Sequence, residues 1–158
     1  MRFSLFTVIA TGTAILLPLI SVFGQTAHEI TRDEILATGG EWKEKYDQYD
    51  PVADMVDALK AKLVGDVRID VYLGLWCPDS RNNVPLFIKI MDRAGTAVPV
   101  RYFDVPKKAN KEILFFIDEF KVRLIPTFIF YRDDKEIDRI VENPKAGMIE
   151  DTMEIFFH

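Results

Sequence analysis

The chain contains a single cysteine, Cys77, within the run Gly74-Leu75-Trp76-Cys77-Pro78-Asp79-Ser80. A cysteine thiolate is a strong nucleophile, so this residue is the first candidate for chemistry. The two histidines, His28 and His158, lie far from it in sequence, which argues against a metal cluster or a Cys–His pair on core elements. The sequence also lacks zinc-ligand spacing, a glycine-rich phosphate loop and a serine nucleophile elbow. We therefore predict thiol chemistry and no metal site.

The segments on either side of Cys77 predict how it is positioned. Apolar residues before it alternate with period two, which is typical of a strand: Val67, Ile69, Val71, Leu73 and Leu75. Apolar residues after it recur at helical spacing: Val84, Phe87, Ile88 and Met91. The sulfur should therefore lie where a strand ends and a helix begins. Free N–H groups and the positive end of the helix dipole would favour the thiolate there.

This segment resembles the thioredoxin superfamily, whose members carry Trp-Cys-x-x-Cys at a strand-to-helix junction and a proline eight residues after the first cysteine. Pro85 stands at that position. A second family landmark, a cis-proline followed by threonine, is matched by Ile125-Pro126-Thr127. The local sequence Trp-Cys-Pro-Asp is most similar to the thioredoxin-related branch with Trp-Cys-Pro-Asp-Cys, and Trp-Cys-Pro-Asp-Ser is also similar to single-cysteine secreted bacterial members with Trp-Cys-x-Asp-Ser. The resemblance covers roughly residues 51–157.

The resemblance implies an α/β thioredoxin-like fold of three layers, with a central mixed sheet between helices. Periodicity independently predicts the order β-α-β, α, β-hairpin, α, preceded by one helix. A helix should begin at Asp50-Pro51 and end near Gly65, another should be capped by Asn110, and the last should begin at Asn143-Pro144. The expected strands are Val67 to Leu75, Val98 to Val105, Thr127 to Tyr131 and Glu136 to Val141.

We divide the chain into three parts: a signal peptide (1–24), an N-terminal helical extension (25–49) and a thioredoxin-like domain (50–158). The apolar stretch after Arg2 predicts cleavage after Gly24 and a periplasmic or secreted protein, with an uncleaved membrane anchor as the alternative. In the extension, Thr31 and Glu34 have capping-box spacing. Helical turns around Trp42 are expected to pack on the domain in place of a leading strand.

Composition limits the range of partners. The 158 residues are 49% hydrophobic and carry a net charge of −5 with no basic run, which fits one packed domain and argues against nucleic acid as a partner. The expected partners are proteins that contain disulfides or thiols. A membrane is a partner only if the signal segment stays uncleaved.

In two-cysteine relatives the second cysteine resolves the mixed disulfide, and here that residue is Ser80. A hydroxyl cannot form a disulfide, so the predicted reaction is monothiol exchange at Cys77, with an external thiol completing the cycle. Ser80 is predicted to assist by donating a hydrogen bond to the sulfur anion, whereas the carboxylate of Asp79 opposes a second negative charge unless Arg81 offsets it. The buried aspartate that often serves relatives as proton carrier is replaced by Val71. The adjacent Asp70 should point to the opposite face of the sheet.

The resemblance also implies a substrate-binding surface around the sulfur. A cis-proline at position 126 would place the Ile125 backbone beside Cys77, and Trp76 would cover the sulfur and form an apolar rim, unless it simply packs beneath the loop. The predicted substrate-binding residues are Trp76, Pro78, Asp79, Ile125, Pro126 and Thr127. No cofactor is expected, although glutathione or another thiol could act as co-substrate.

Three alternatives remain from the sequence. The domain could be a non-catalytic peptide-binding module with the same fold, which the missing second cysteine and Val71 both favour. Cys77 could form an intermolecular disulfide in a homodimer. It could also be an inert buried cysteine that packs as a small hydrophobe.

Overall fold

The computed structural model describes residues 28–108 and 117–157. Five strands form one mixed sheet in the order β1-β3-β2-β4-β5. Only the β2–β3 pair is parallel, while β1–β3, β2–β4 and β4–β5 are antiparallel. The strands are β1 His28–Ile30, β2 Val67–Leu73, β3 Val100–Asp104, β4 Thr127–Arg132 and β5 Lys135–Val141.

Helices and apolar side chains cover both faces of this sheet. The described helices are α1 Arg32–Ala37, α2 Glu41–Gln48, α3 Ala53–Lys62, α4 Pro78–Ala94 and α5 Met148–Phe157. The larger core lies between one face and helices α3, α4 and α5, and includes Val71, Phe87 and Phe128. On the other face, Tyr72 and Ile129 pack with Ile117 and Phe120. This arrangement is the α/β thioredoxin-like fold that the sequence predicts.

Strand β2 carries the candidate cysteine at its C-terminal end and lies in the middle of the sheet. All its side chains except that of Arg68 are buried. A strand that is covered on both faces is expected to be apolar along its whole length, and Asp70 is the exception that needs charged partners. The central position makes β2 a rigid support for the loop that follows it.

The prediction that the leading strand is missing was wrong. His28–Ile30 forms a strand that pairs antiparallel with β3, with Glu29 opposite Phe103. Two of its three side chains are exposed. So short an edge strand leaves no alternation for sequence patterns to detect. The helical turns around Trp42 do form, as α2, and Trp42 is buried in the larger core.

Two helices begin later than predicted. Helix α3 starts at Ala53 with Val52 at the N-cap, and Pro51 lies outside the helix as a buried residue. Helix α5 starts at Met148. The segment before α5 is held outside the helix because the N–H groups of Lys145 and Ala146 donate to the carboxylate of Asp151, at 2.6 and 3.0 Å.

Other local predictions are confirmed. The capping box forms at α1, where the N–H of Glu34 donates to Thr31 Oγ1 at 3.2 Å and Thr31 N–H donates to the Glu34 carboxylate at 2.7 Å. The β4–β5 hairpin turns at Asp133 and Asp134, both with positive φ, as a tight two-residue turn requires.

Some predictions concern parts of the chain that lie outside the described residues. They are the signal segment 1–24 and the helix start at Asn110. In the described part of the chain, none of the helices is both long enough and apolar enough to cross a bilayer.

Candidate functional site

Cys77 lies at the strand-to-helix junction, where the sequence places it. It is the N-cap of α4, and Pro78 occupies the first helical turn, in which a missing N–H costs nothing. The N–H of Cys77 donates to Gly74 O at 2.8 Å, and Cys77 O accepts from Arg81 N at 3.1 Å. These bonds hold the residue at the end of a tight turn that points it towards β4.

The sulfur interacts with an acceptor rather than with the helix amides. Cys77 makes no side-chain capping hydrogen bond to the first turn of α4. Instead, Sγ lies 3.5 Å from the main-chain oxygen of Ile125, to which a thiol can donate. Because a carbonyl oxygen only accepts, this contact suits the protonated thiol.

Cys77 is 7% exposed, so the residue is mostly covered but not sealed. It borders a cavity of about 420 Å³, which we call the Cys77 groove. The groove is lined by residues around the α4 start, after β3, before β4 and directly after β5: Trp76, Cys77, Asp79, Val105, Pro106, Lys107, Ile117, Val122, Arg123, Leu124, Ile125 and Glu142.

The second landmark lies across the groove from the helix. The Ile125–Pro126 peptide bond is cis. Thr127 is buried, and its hydroxyl donates to Leu124 O at 2.6 Å. Pro126 O accepts from Glu142 N at 2.7 Å. The structure thus brings the Ile125–Thr127 segment, which is remote in sequence, against Cys77.

Trp76 forms one wall of the groove and is not packed beneath the loop, since 47% of its surface is exposed. Its indole Nε1–H donates to Val105 O at 2.8 Å. A Cβ atom on Gly74 would lie 2.9 Å from Trp76 Nε1 and 2.8 Å from Ile125 Cδ1. Position 74 therefore needs glycine, because any larger residue would collide with the Trp76 indole and the Ile125 side chain that lie against it.

Ser80 is fully buried and serves the backbone of the loop. Its Oγ accepts a hydrogen bond from Gly74 N–H at 3.1 Å. A second bond supports the same loop, because Leu75 N–H donates to Asp104 Oδ1 at 3.0 Å. Together these bonds tie the loop before Cys77 to α4 and to the end of β3.

The charged residues next to Cys77 have different surroundings. Asp79 is partly exposed and lines the groove. Arg81, which the sequence offered as a counter-charge for Asp79, lies 2.9 Å from the Glu41 carboxylate instead. Pro78 is exposed at the surface and is not among the groove-lining residues.

The family's proton-carrier position is apolar here. Val71 is fully buried in the larger core. Asp70 points to the opposite face, as predicted, where Arg101 binds it through two hydrogen bonds of 2.8 and 2.7 Å. The hydrogen bond to Asp70 raises the pKa of Arg101, so this half-exposed guanidinium stays charged beside the buried Asp70 side chain. Asp70 is therefore committed to an ion pair on the far side of the sheet from the main core.

Sequence reasoning missed three residues that shape the site. Asn83 is buried, and its Nδ2 donates to Asp79 O, Glu142 O and Asn143 Oδ1 at 3.1, 3.0 and 2.9 Å. Asp104 holds Leu75, and Glu142 lines the groove with φ of 58°. The polar Asn83 within an apolar helix face was the available signal for the first. The other two depend on contacts between distant segments.

Among residues 28–108 and 117–157, no group of three or more His, Cys, Asp or Glu side chains is arranged to hold a metal ion. The cavity, the cysteine and the exposed indole are the features that remain for chemistry at this end of the sheet.

Comparison with known proteins finds a matching family model and curated relatives. The family model described as "Thioredoxin" matches residues 24–153. Thioredoxin H5 of rice (Oryza sativa subsp. japonica) is 33% identical over 85 residues, which cover 54% of this chain and 56% of the relative. A thioredoxin H-type of Brassica oleracea is 28% identical over 91 residues, covering 57% of this chain and 69% of the relative.

Solved structures with similar folds include a thioredoxin of Fasciola hepatica, with a TM-score of 0.46, 22% identity and coverage of 65% of this chain and 90% of that one. A protein of unknown function from Pseudomonas aeruginosa has a TM-score of 0.48 and 14% identity, over 81% of this chain and 98% of that one. Because the family model spans most of the sequence, the chain belongs to the thioredoxin family.

Proposed function

We propose that the protein performs monothiol thiol–disulfide exchange through Cys77, on polypeptide or small-molecule disulfides. The observation that carries the proposal is the placement of the chain's single cysteine at the start of α4, bordering a groove whose opposite wall includes Ile125, the residue before the cis-proline Pro126. Family membership supports redox chemistry of this class.

The proposed reaction has two balanced steps. The Cys77 thiolate attacks one sulfur of a disulfide R–S–S–R′, so a Cys77–S–S–R bond forms and R′–S⁻ leaves with the electron pair of the broken bond. An external thiol R″–SH then attacks the R sulfur as its thiolate, which releases Cys77 as thiolate. The proton that R″–SH lost passes through solvent to R′–S⁻. Over the two steps the disulfide R–S–S–R′ is consumed and R–S–S–R″ is formed.

Each part of the site has a role in this proposal. Attack requires loss of the thiol proton and of the contact with Ile125 O, after which the positive end of α4 stabilises the sulfur anion. Trp76 and Asp79 on one side, and Ile125 on the other, line the groove and are proposed to contact the substrate. Pro126 and Thr127 are buried and are proposed to hold the Ile125 backbone in place, and the exposed Pro78 is proposed to contact the substrate only outside the groove. Ser80 is proposed to keep the loop in place and to donate a hydrogen bond from its hydroxyl to the sulfur anion.

The proposed setting is an export compartment, reached by cleavage of the signal segment 1–24. Disulfides form and persist there, so substrates with disulfides are available. External thiols, including glutathione, are proposed to regenerate Cys77.

The test is direct formation of a mixed disulfide. Purified protein is incubated with oxidised glutathione, intact mass is measured, and release of the glutathionyl group by an added thiol is followed over time. Wild type should gain and lose one glutathionyl group, and Cys77→Ser should gain none. Failure of the wild type to form the adduct under native conditions, while it does so when unfolded, would contradict the proposal.

A second candidate is a peptide-binding module without turnover, and two observations favour it. Cys77 is only 7% exposed, and Val71 places no proton acceptor beneath it. In that case Cys77→Ser would retain every partner captured from the native compartment, under oxidising and reducing conditions alike. Loss of all partners on reduction would support exchange, and a disulfide-linked dimer on a non-reducing gel would identify a third role.

A further inference from the structure

We infer that the Cys77 groove selects substrates that carry positive charge beside the reacting sulfur, and that Glu142 and Asp79 recognise this charge. The inference names a substrate class for the proposed exchange reaction and rests on that proposal for its biological meaning. The charge preference itself can be measured on the thiol alone.

Four ionisable side chains other than Cys77 line the groove: Asp79, Lys107, Arg123 and Glu142. Arg123 lies 2.5 Å from the Asp118 carboxylate, which offsets its charge. The Lys107 ammonium lies 5.7 Å from the centre of the Trp76 ring and keeps its charge, so the unpaired lining charges are two carboxylates against one ammonium. In the described part of the chain, neither carboxylate has a basic group within ion-pair distance.

The two carboxylates belong to segments that are close to the reaction centre. Asp79 lies in the first turn of α4, two residues after Cys77. Glu142 is fixed beside the other wall, because its N–H donates to Pro126 O at 2.7 Å and its carbonyl oxygen accepts from Asn83 at 3.0 Å. A positively charged side chain in the groove would therefore meet two carboxylates that form no ion pair within the described part of the chain.

The rest of the groove suits a basic polypeptide segment. Its floor is apolar and includes Val105, Val122 and Ile125, against which the aliphatic part of a lysine or arginine can pack. The net charge of −5 adds a long-range field that attracts cations. We therefore assign the groove to polypeptides with lysine or arginine next to the disulfide, which should exchange faster than anionic disulfides. Oxidised glutathione should still react, but more slowly than a cationic disulfide.

The experiment compares two reagents that transfer groups of opposite charge to the same thiol. Methanethiosulfonates carrying a trimethylammonium-ethyl or a sulfonato-ethyl group each form a disulfide with the cysteine and release methanesulfinate. The ratio of their second-order rate constants at Cys77, cation over anion, is divided by the same ratio for the unfolded protein. This division removes the intrinsic reactivity of the reagents.

The normalised ratio should exceed one in wild type. It should fall by about two- to fivefold in Glu142→Gln and in Asp79→Asn. Loss of one negative charge slows the cation and speeds the anion by about 1.5- to 2.3-fold each when the charges are roughly 5–8 Å apart in water at about 0.1 M salt. Asp134→Asn is the matched control. It removes the same charge from a residue with the same φ of 58°, but at the opposite end of β2, where Val67 pairs with Arg132.

Urea unfolding of each variant checks that it is folded. If Glu142→Gln does not fold, Asp79→Asn alone still tests the inference. A ratio at or below one in wild type, or equal ratios in wild type and both groove variants, would overturn the inference. If the ratio behaves as expected but no disulfide exchange occurs, the charge preference stands and the proposed reaction fails. If exchange occurs without a charge effect, the reaction stands and this inference fails.

Discussion

The Ser80 hydroxyl, which stands where two-cysteine relatives carry their second sulfur, accepts a hydrogen bond from the N–H of Gly74 at 3.1 Å. Both residues are buried, so water cannot replace the bond if it is lost. The residue that replaces the second cysteine is thus part of the support for the loop that precedes the first.

Ser80→Ala should lower the free energy of unfolding by about 1–3 kcal/mol, because it leaves the Gly74 N–H without an acceptor. Equilibrium denaturation by urea measures the change. Thr38→Ala is a suitable control, since the Thr38 hydroxyl donates to Glu34 O at an exposed site. A loss at position 80 no larger than at position 38 would show that the buried hydrogen bond contributes little.

Ser80→Cys should create an intrachain disulfide with Cys77. Residues three apart lie on the same side of a helix, within reach of a disulfide. Titration of free thiols after mild oxidation should then find none, whereas wild type retains its one. Asn82→Cys, an exposed position five residues from Cys77, should retain its thiols or form dimers. Two free thiols in oxidised Ser80→Cys would contradict the geometry.

Asp104→Ala should lower the free energy of unfolding by about 1–3 kcal/mol, because Leu75 N–H loses a charged acceptor. Asp104→Asn should restore most of the loss, since its side-chain oxygen can accept the same bond. Thermal unfolding of wild type, Asp104→Asn and Asp104→Ala should rank their stabilities in that order. If Asn is as harmful as Ala, the carboxylate stabilises the loop in some other way than through this hydrogen bond.

Asn83→Asp should destabilise the protein more than Asn83→Ala. The aspartate would place an acceptor against three oxygen atoms that now receive hydrogen bonds, whereas alanine only removes the donor, at a cost of about 1–3 kcal/mol. Asn82→Ala, at the exposed neighbouring position, should change the unfolding free energy by less than about 0.5 kcal/mol. Urea denaturation near pH 7 compares the variants, and equal losses for Asp and Ala would argue against these bonds.

Tyrosine ionisation should limit stability at high pH. Burial raises the pKa of Tyr102, so the folded protein keeps this phenol neutral while the unfolded chain ionises it above about pH 10. The stability from neutral Tyr102 is complete below that pH and is lost as pH rises towards the folded value. Tyr102→Phe should therefore show a smaller decline in unfolding free energy between pH 9 and pH 11 than wild type. An identical decline would assign the alkaline effect to other tyrosines, such as Tyr72.

Local patterns predicted most element types correctly but not every boundary, since α3 begins at Ala53 rather than at Pro51. The change of period around Cys77 predicted the junction between β2 and α4, and the spacing of Thr31 and Glu34 predicted the capping box. Local patterns failed where the conformation of a segment depends on contacts with another segment. Strand β1 is too short to show alternation and exists because β3 offers it an edge. The start of α5 is shifted because Asp151 binds the N–H groups before it.

By itself, the sequence determined that thiol chemistry can involve only Cys77, that no second cysteine can resolve its disulfides, and that Asp70 and Val71 face opposite sides of a strand. These conclusions depend on residue identity and on short-range periodicity. The tertiary structure decided that Cys77 is largely covered, that Ser80 supports Gly74, and that Asn83, Asp104 and Glu142 shape the groove. Those features arise from hydrogen bonds and packing between segments far apart in the chain, which no local pattern encodes.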